Sequence, residues 1–265
     1  MRKGITVIII MVLSATAFAG PAESNSPGEK KLSVTFDLTY MSRYMSKGFS
    51  PYGPRGAFFE TTSVDFWDTG LGVSVGHQSA LGGGYVVKQR FNYGVYYGNS
   101  FFKDKVYETK FRVDWIYKEY YKISNGRSDA QNMIFEFSWP NILPIKNLSP
   151  YYIADYEYPA GRNYDNCTIS GFVHRFGLAY NWTIPQLPKP LKLTAETAYN
   201  DGFNNKPSHY VDHDWAYSTF GIATVLPVTK NLSFVPALYQ QITMDKSVND
   251  KHDITYCKIS MKYKF

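Results

Sequence analysis

Cysteine is nearly absent. Cys167 and Cys257 are the only two in 265 residues, and two thiols cannot staple a chain of this length, which excludes a disulfide-built scaffold. Neither has a second Cys or a His at ligand spacing, so a thiolate metal centre is not expected. The two stand far apart in separate alternating segments, and a single bridge between them stays open as an alternative. Long apolar runs are missing too. Beyond the first 20 residues no unbroken apolar stretch reaches the ~18 that a membrane helix needs, which excludes a helical membrane bundle. Charged residues make up only 19% of the chain and the mean hydropathy is -0.31. Aromatic residues are plentiful instead: Tyr 23, Phe 18 and Trp 5, or 17%. Rings at that density bury enough surface to offset chain entropy, so a disordered chain is excluded. One large domain is expected, because all-β barrels of this length are commonly single.

The amino end reads as an export signal. Arg2 and Lys3 precede the apolar run Ile5 to Leu13, which leads into Ser14-Ala15-Thr16-Ala17-Phe18-Ala19. Basic start, apolar centre and an A-x-A end are the three parts of a cleavable signal peptide. The expected division is a signal peptide at 1–19, a short periplasmic segment at 20–30 and a barrel at 31–265. The apolar run is too short to span a membrane, and no cysteine follows it to carry a lipid. Cleavage removes Arg2 and Lys3 and no acid, so the formal charge of +6 falls by two.

The rest of the chain repeats the period of a strand. Leu32, Val34, Phe36, Leu38 and Tyr40 alternate with Ser33, Thr35, Asp37 and Thr39. Tyr107, Phe111, Val113, Trp115 and Tyr117 interleave with Glu108, Lys110, Arg112 and Asp114, one face apolar and the other charged. Similar runs centre on Phe91 to Tyr97, Met133 to Trp139 and Leu191 to Glu196. Segments at 58–66, 71–77, 151–158, 169–180, 214–226 and 231–242 read as strands whose faces are harder to assign; His174, sharing a face with Phe172 and Phe176, is a misfit. With 253–265 this makes about twelve strands of some ten residues, and the connections alternate between longer polar loops (46–56, 118–131, 159–166, 200–214) and shorter turns. The expected fold is all-β, a transmembrane antiparallel barrel. A sheet in lipid has no water for unpaired backbone groups, so it must close.

At the carboxyl end Phe265, Tyr263, Met261, Ile259 and Cys257 form an apolar face against Lys264, Lys262, Ser260 and Lys258. A terminal Phe on an alternating strand resembles the signal by which bacterial outer-membrane barrels are recognised for assembly. A second resemblance lies at residues 40–79. Tyr44, Ser46, Lys47 and Gly48, followed by Val64, Phe66, Thr69 and Gly70, are similar to the opening hairpin and loop of the TorF-like porin family, uncharacterised proteobacterial outer-membrane proteins. Lys47 stands where Arg is commoner in that family. The resemblance implies a channel-like protein of the bacterial outer membrane without a settled substrate. The partners expected are membrane lipid, the barrel-assembly machinery through the last strand, and small solutes, with no nucleic acid.

Catalytic constellations are thin. His209 and His213, four apart beside Asp212 and Asp214, would suit a metal only on a helix, and their Asn- and Pro-containing surroundings read as a polar loop. His77 and Ser79 lack a partner motif for acyl hydrolysis. Gly82-Gly83-Gly84 precedes no helix and is not a phosphate cradle. No enzyme activity, cofactor or metal is expected. The functional chemistry lies on the inward faces: Lys88, Arg90, Lys110, Arg112, Arg175, Lys192 and Lys258 are expected to line a pore, with Lys262 and Lys264 on the same kind of face. Lys88, Arg90, Lys110 and Arg112 come from consecutive strands and read as one basic cluster favouring anions. The expected function is porin-like passive diffusion of small polar solutes. The alternative is a non-conducting surface barrel acting in adhesion or envelope structure through aromatic loops.

Overall fold

The computed structural model describes residues 32–67, 69–82, 89–120, 129–160, 170–203 and 213–265. The signal peptide and the segment at 20–30 lie outside them, as do Lys88, Cys167 and His209. Twelve long strands run in chain order: β1 (Ser33–Met41), β2 (Ala57–Asp65), β3 (Leu71–Ala80), β4 (Gln89–Phe101), β5 (Thr109–Tyr120), β6 (Ala130–Ser138), β7 (Leu148–Pro159), β8 (Gly171–Trp182), β9 (Leu191–Asp201), β10 (Asp214–Ala223), β12 (Leu232–Thr243) and β13 (Ile254–Lys264). The thirteenth, β11 (Leu226–Pro227), is a two-residue piece in the turn between β10 and β12.

Every neighbour pair is antiparallel; β10 pairs with β12, the next long strand in the chain, and the pairing of β1 with β13 closes the ring. Closure leaves no long edge unpaired, the condition set by a solvent without hydrogen bonds. Because side chains alternate at period two, register decides which face each residue serves. Phe36 opposes Tyr263, and Leu38 opposes Met261, so both strands turn their apolar residues outward together. The outer surface carries Phe36, Val75, Val95, Leu178, Phe220, Leu238 and Met261, all exposed. Polar and charged partners point into the lumen, where Thr39 meets Ser260 at 2.5 Å. An apolar outside around a polar inside is the inverse of a soluble sheet.

The start of β1 and the end of β13 lie at one end of the barrel, the terminal end; the connections after β1, β3, β5, β7, β9 and β12 lie at the other, the loop end. One irregularity explains a segment the sequence left unassigned. A bulge between Trp215 and Tyr217 in β10 inserts Ala216, so Trp215 faces out and Tyr217 faces in although both would share a face in a regular strand.

Candidate functional site

The site is the lumen, and its two halves differ. Near the terminal end the inward side chains are part-exposed: Lys110 at 58% and Arg112 at 45%. They line a cavity of about 550 Å³ together with Glu136, Tyr151, Lys192 and Glu196. Further in, a 320 Å³ cavity is bounded by Arg175, Tyr217, Tyr239, Tyr256 and Lys258, with Tyr239 and Tyr256 stacked at 5.0 Å. At the loop end the lumen is packed. Gln78, Lys118, Asn132, Glu157, Ala198 and Gln241, from six strands around the barrel, are all buried.

What covers them is the first connection, residues 42–56. The sequence reading placed 46–56 among the outer polar loops; instead the segment folds inward. Ser46 and Phe49 exchange backbone hydrogen bonds of 2.8 and 2.9 Å, which makes Lys47-Gly48 a two-residue hairpin turn. Both carry positive φ, 51° and 86°, the signature of the I′ turn that matches strand twist. The Lys47 side chain is 4% exposed and donates to Glu157 at 2.6 Å, with Asp155 at 3.1 Å, both on β7 across the barrel. Its ammonium also sits 4.2 Å over the Phe203 ring. Lys118 shares Glu157 at 2.7 Å, and Asn132 donates to Asp155 at 2.7 Å. Burial pulls the Lys47 ammonium below its ordinary value, against Glu157 and Asp155, which pull it up.

Other bonds pin the hairpin elsewhere on the wall. The Gly48 carbonyl accepts from Gln241 at 2.8 Å and from Asn249 at 2.5 Å. Arg90 donates to the Tyr44 hydroxyl at 3.2 Å, and Gln78 donates to the Tyr52 hydroxyl at 2.9 Å. Tyr44 and Tyr52 are buried, so these aromatic side chains are not displayed outside.

Among the described residues the expected basic cluster is not assembled. Arg90 points inward but at the loop end, bonded to Gln78, Tyr44 and Tyr120. Arg112 points inward near the other end, because antiparallel pairing sets Arg90 against Tyr120 and Arg112 against Gly98. Eight residues at ~3.4 Å each separate them by roughly 27 Å along the strand direction. Arg112 is held by Asp114 through two bonds of 2.8 and 2.7 Å and lies 4.1 Å over the Tyr96 ring. Lys110 is 3.8 Å from Glu108, Arg175 is 3.8 Å from Glu196, and Lys262 is 3.2 Å from Asp37. Among the described residues Lys192 and Lys258 form no ion pair and face the two cavities. Ile259, Met261, Tyr263 and Phe265 lie on the outer face, all exposed. The Phe265 amide donates to the Val34 carbonyl at 2.9 Å, so the terminal residue is part of the seam.

His77, His174 and His213 lie near the loop end. The His77 ring packs at a tilt against Phe91, 4.9 Å between centres, and its Nδ1 lies 3.6 Å from Glu60. His174 bonds the Tyr152 hydroxyl at 2.8 Å, and His213 bonds Asp201. The sequence missed Lys47 as a functional residue. The available signal was Ser46-Lys47-Gly48-Phe49, where the glycine in second place suits a two-residue hairpin turn.

The fold is that of outer-membrane barrel porins. The KdgM porin solved in complex with disordered oligogalacturonate superposes with a TM-score of 0.52 at 10% identity, over 88% of this chain and 99% of that one. The NanC porin gives 0.51 at 12% identity, over 87% and 98%. No protein-family model matches the chain, and no curated protein matches it in sequence.

Proposed function

We propose that this chain is a channel of the bacterial outer membrane for passive diffusion of small polar solutes, with its terminal end in the periplasm and its loop end outside. The observation that carries this reading is the charged lumen, with two cavities inside an apolar outer wall. The longer connections at the loop end agree with the orientation, since barrels of this kind turn tightly in the periplasm. Unpaired Lys192 and Lys258 favour anions, and a porin of similar fold was solved in complex with oligogalacturonate, an acidic sugar chain. Resemblance over residues 40–79 supports membership of the TorF-like porin family, and the β13 outer face supports delivery by the assembly machinery. No catalytic role is assigned to His77, which lies on the outer wall beside Glu60.

The packed layer at the loop end favours a second reading, a closed barrel with an envelope-structural role. Single-channel recording of the purified protein in a planar bilayer separates the two. Discrete conductance steps support the channel, and their absence both from the parent and from a variant lacking the inward loop overturns it.

A further inference from the structure

The lumen is blocked by a piece of chain that belongs to a connection, not to a strand. Three features distinguish this segment from an ordinary core. It enters as a two-residue hairpin bridged only to itself, Ser46 to Phe49, so it can swing out on Ser42 and Gly56, which stay bonded to Cys257 and Leu81, without breaking any barrel ladder. Its tip is held by side chains and one carbonyl, through Lys47 to Asp155 and Glu157 and through Gly48 to Gln241 and Asn249. And a cavity of 320 Å³ lies directly under the tip, bounded by Lys47 and Gly48 themselves as well as by Arg175 and Lys258.

We propose that residues 42–56 form a removable plug in the lumen and that Lys47 is its latch, so that the barrel conducts only when the Lys47 ammonium leaves Asp155 and Glu157. This rests on the channel reading above. The chemistry suits a latch better than a permanent anchor. A lysine ammonium is strongly hydrated and sits on a flexible stem, so water outside offers it an alternative to the buried carboxylates. The acids are left with Lys118 and Asn132 when it goes, which keeps the vacated wall partly compensated. Once the hairpin swings out, the central cavity joins the space above it, and Arg175 and Lys258 become accessible from outside as well as from the terminal end.

The test is planar-bilayer recording on the parent, Lys47→Met, Lys47→Arg, the wall variant Asp155→Asn/Glu157→Gln, and a variant with residues 44–53 replaced by a Gly/Ser linker, each first checked for heat-modifiable gel mobility. The parent is expected to be mostly closed with brief openings. Lys47→Met and the wall variant should raise open probability at least tenfold, Lys47→Arg should stay near the parent, and the linker variant should be permanently open. If the linker variant conducts but Lys47→Met and the wall variant gate like the parent, the latch is wrong and the channel stands. A linker variant that does not conduct overturns the channel reading itself. Should Lys47→Met fail to fold, the wall variant reads the same latch from the other side.

Discussion

Gly48 is the residue on which the inward hairpin depends most directly. Its φ of +86° lies where L side chains are rarely found, and a Cβ built there would stand 2.3 Å from Cδ1 of the Tyr217 ring. Tyr217 is buried and cannot retreat freely. Replacing Gly48 with Ala therefore adds a backbone cost of roughly 1–2 kcal/mol to a steric clash, and the docked hairpin should lose at least tenfold in population. Trypsin reports this, because Lys47 is shielded in the docked state. Purified Gly48→Ala barrel should be cut after Lys47 at least ten times faster than the parent, with the barrel still resistant. Equal rates would mean that the hairpin is already mobile or that Tyr217 yields.

At the scale of the element, β13 must do two jobs: seal the barrel against β1 and present an apolar outer face. The seam pairs Thr35 with Lys264 and runs to Met41 against Lys258. Phe265 extends it by one more backbone bond and packs its ring on Tyr263 at 4.7 Å. Replacing Phe265 with Asp puts a charge on the exposed outer face at the end of the closing strand. Such a charge costs ~0–1 kcal/mol near a membrane interface and more at depth, and under the proposed delivery by the assembly machinery the replacement would also remove the terminal aromatic of that signal. The folded fraction in cells, seen as heat-modifiable mobility, should fall severalfold; an unchanged fraction would make the terminal ring incidental. Strands such as β5 and β13 were legible in the sequence because register couples each residue only to its near neighbours, so alternation survives as a local pattern. The inward hairpin was not legible, for the opposite reason. Lys47 meets Glu157 at a separation of 110 residues, and Gly48 meets Gln241 at 193. No local periodicity encodes such contacts, and a polar, Gly- and Pro-containing segment reads as an exposed loop whether it turns outward or inward. The basic residues failed for a related reason: sequence order makes Arg90 and Arg112 look adjacent, whereas antiparallel pairing sends them to opposite levels.

For the whole molecule the question is which sign of charge the open lumen prefers. Total charge is a poor guide, because Arg112 is matched by Asp114, Lys262 by Asp37, and Lys47 by Asp155 and Glu157. Pairing cancels their field beyond a few ångströms, and the residues left to set the potential of the cavities are Lys192 and Lys258 against the single acid Glu136, with Arg175 only loosely matched by Glu196. A twelve-stranded barrel is narrow, lying between side-chain-filled barrels of eight strands and open ones of sixteen, so the Lys192 and Lys258 ammoniums on its wall stay within a Debye length of any ion passing. That length is ~10 Å at 0.1 M salt and ~3 Å at 1 M. Measured across a KCl gradient on the latch-released Lys47→Met barrel, the reversal potential should report anion preference at low salt that fades toward neutrality at 1 M. Changing Lys192 and Lys258 together to Ser should abolish most of it. Arg112→Ser, made alone, should be the weaker change, because it removes one positive charge from the wall where the double variant removes two. Cation preference in the latch-released barrel would mean that Asp155 and Glu157, uncovered when the hairpin leaves, dominate the lumen in place of the lysines below them.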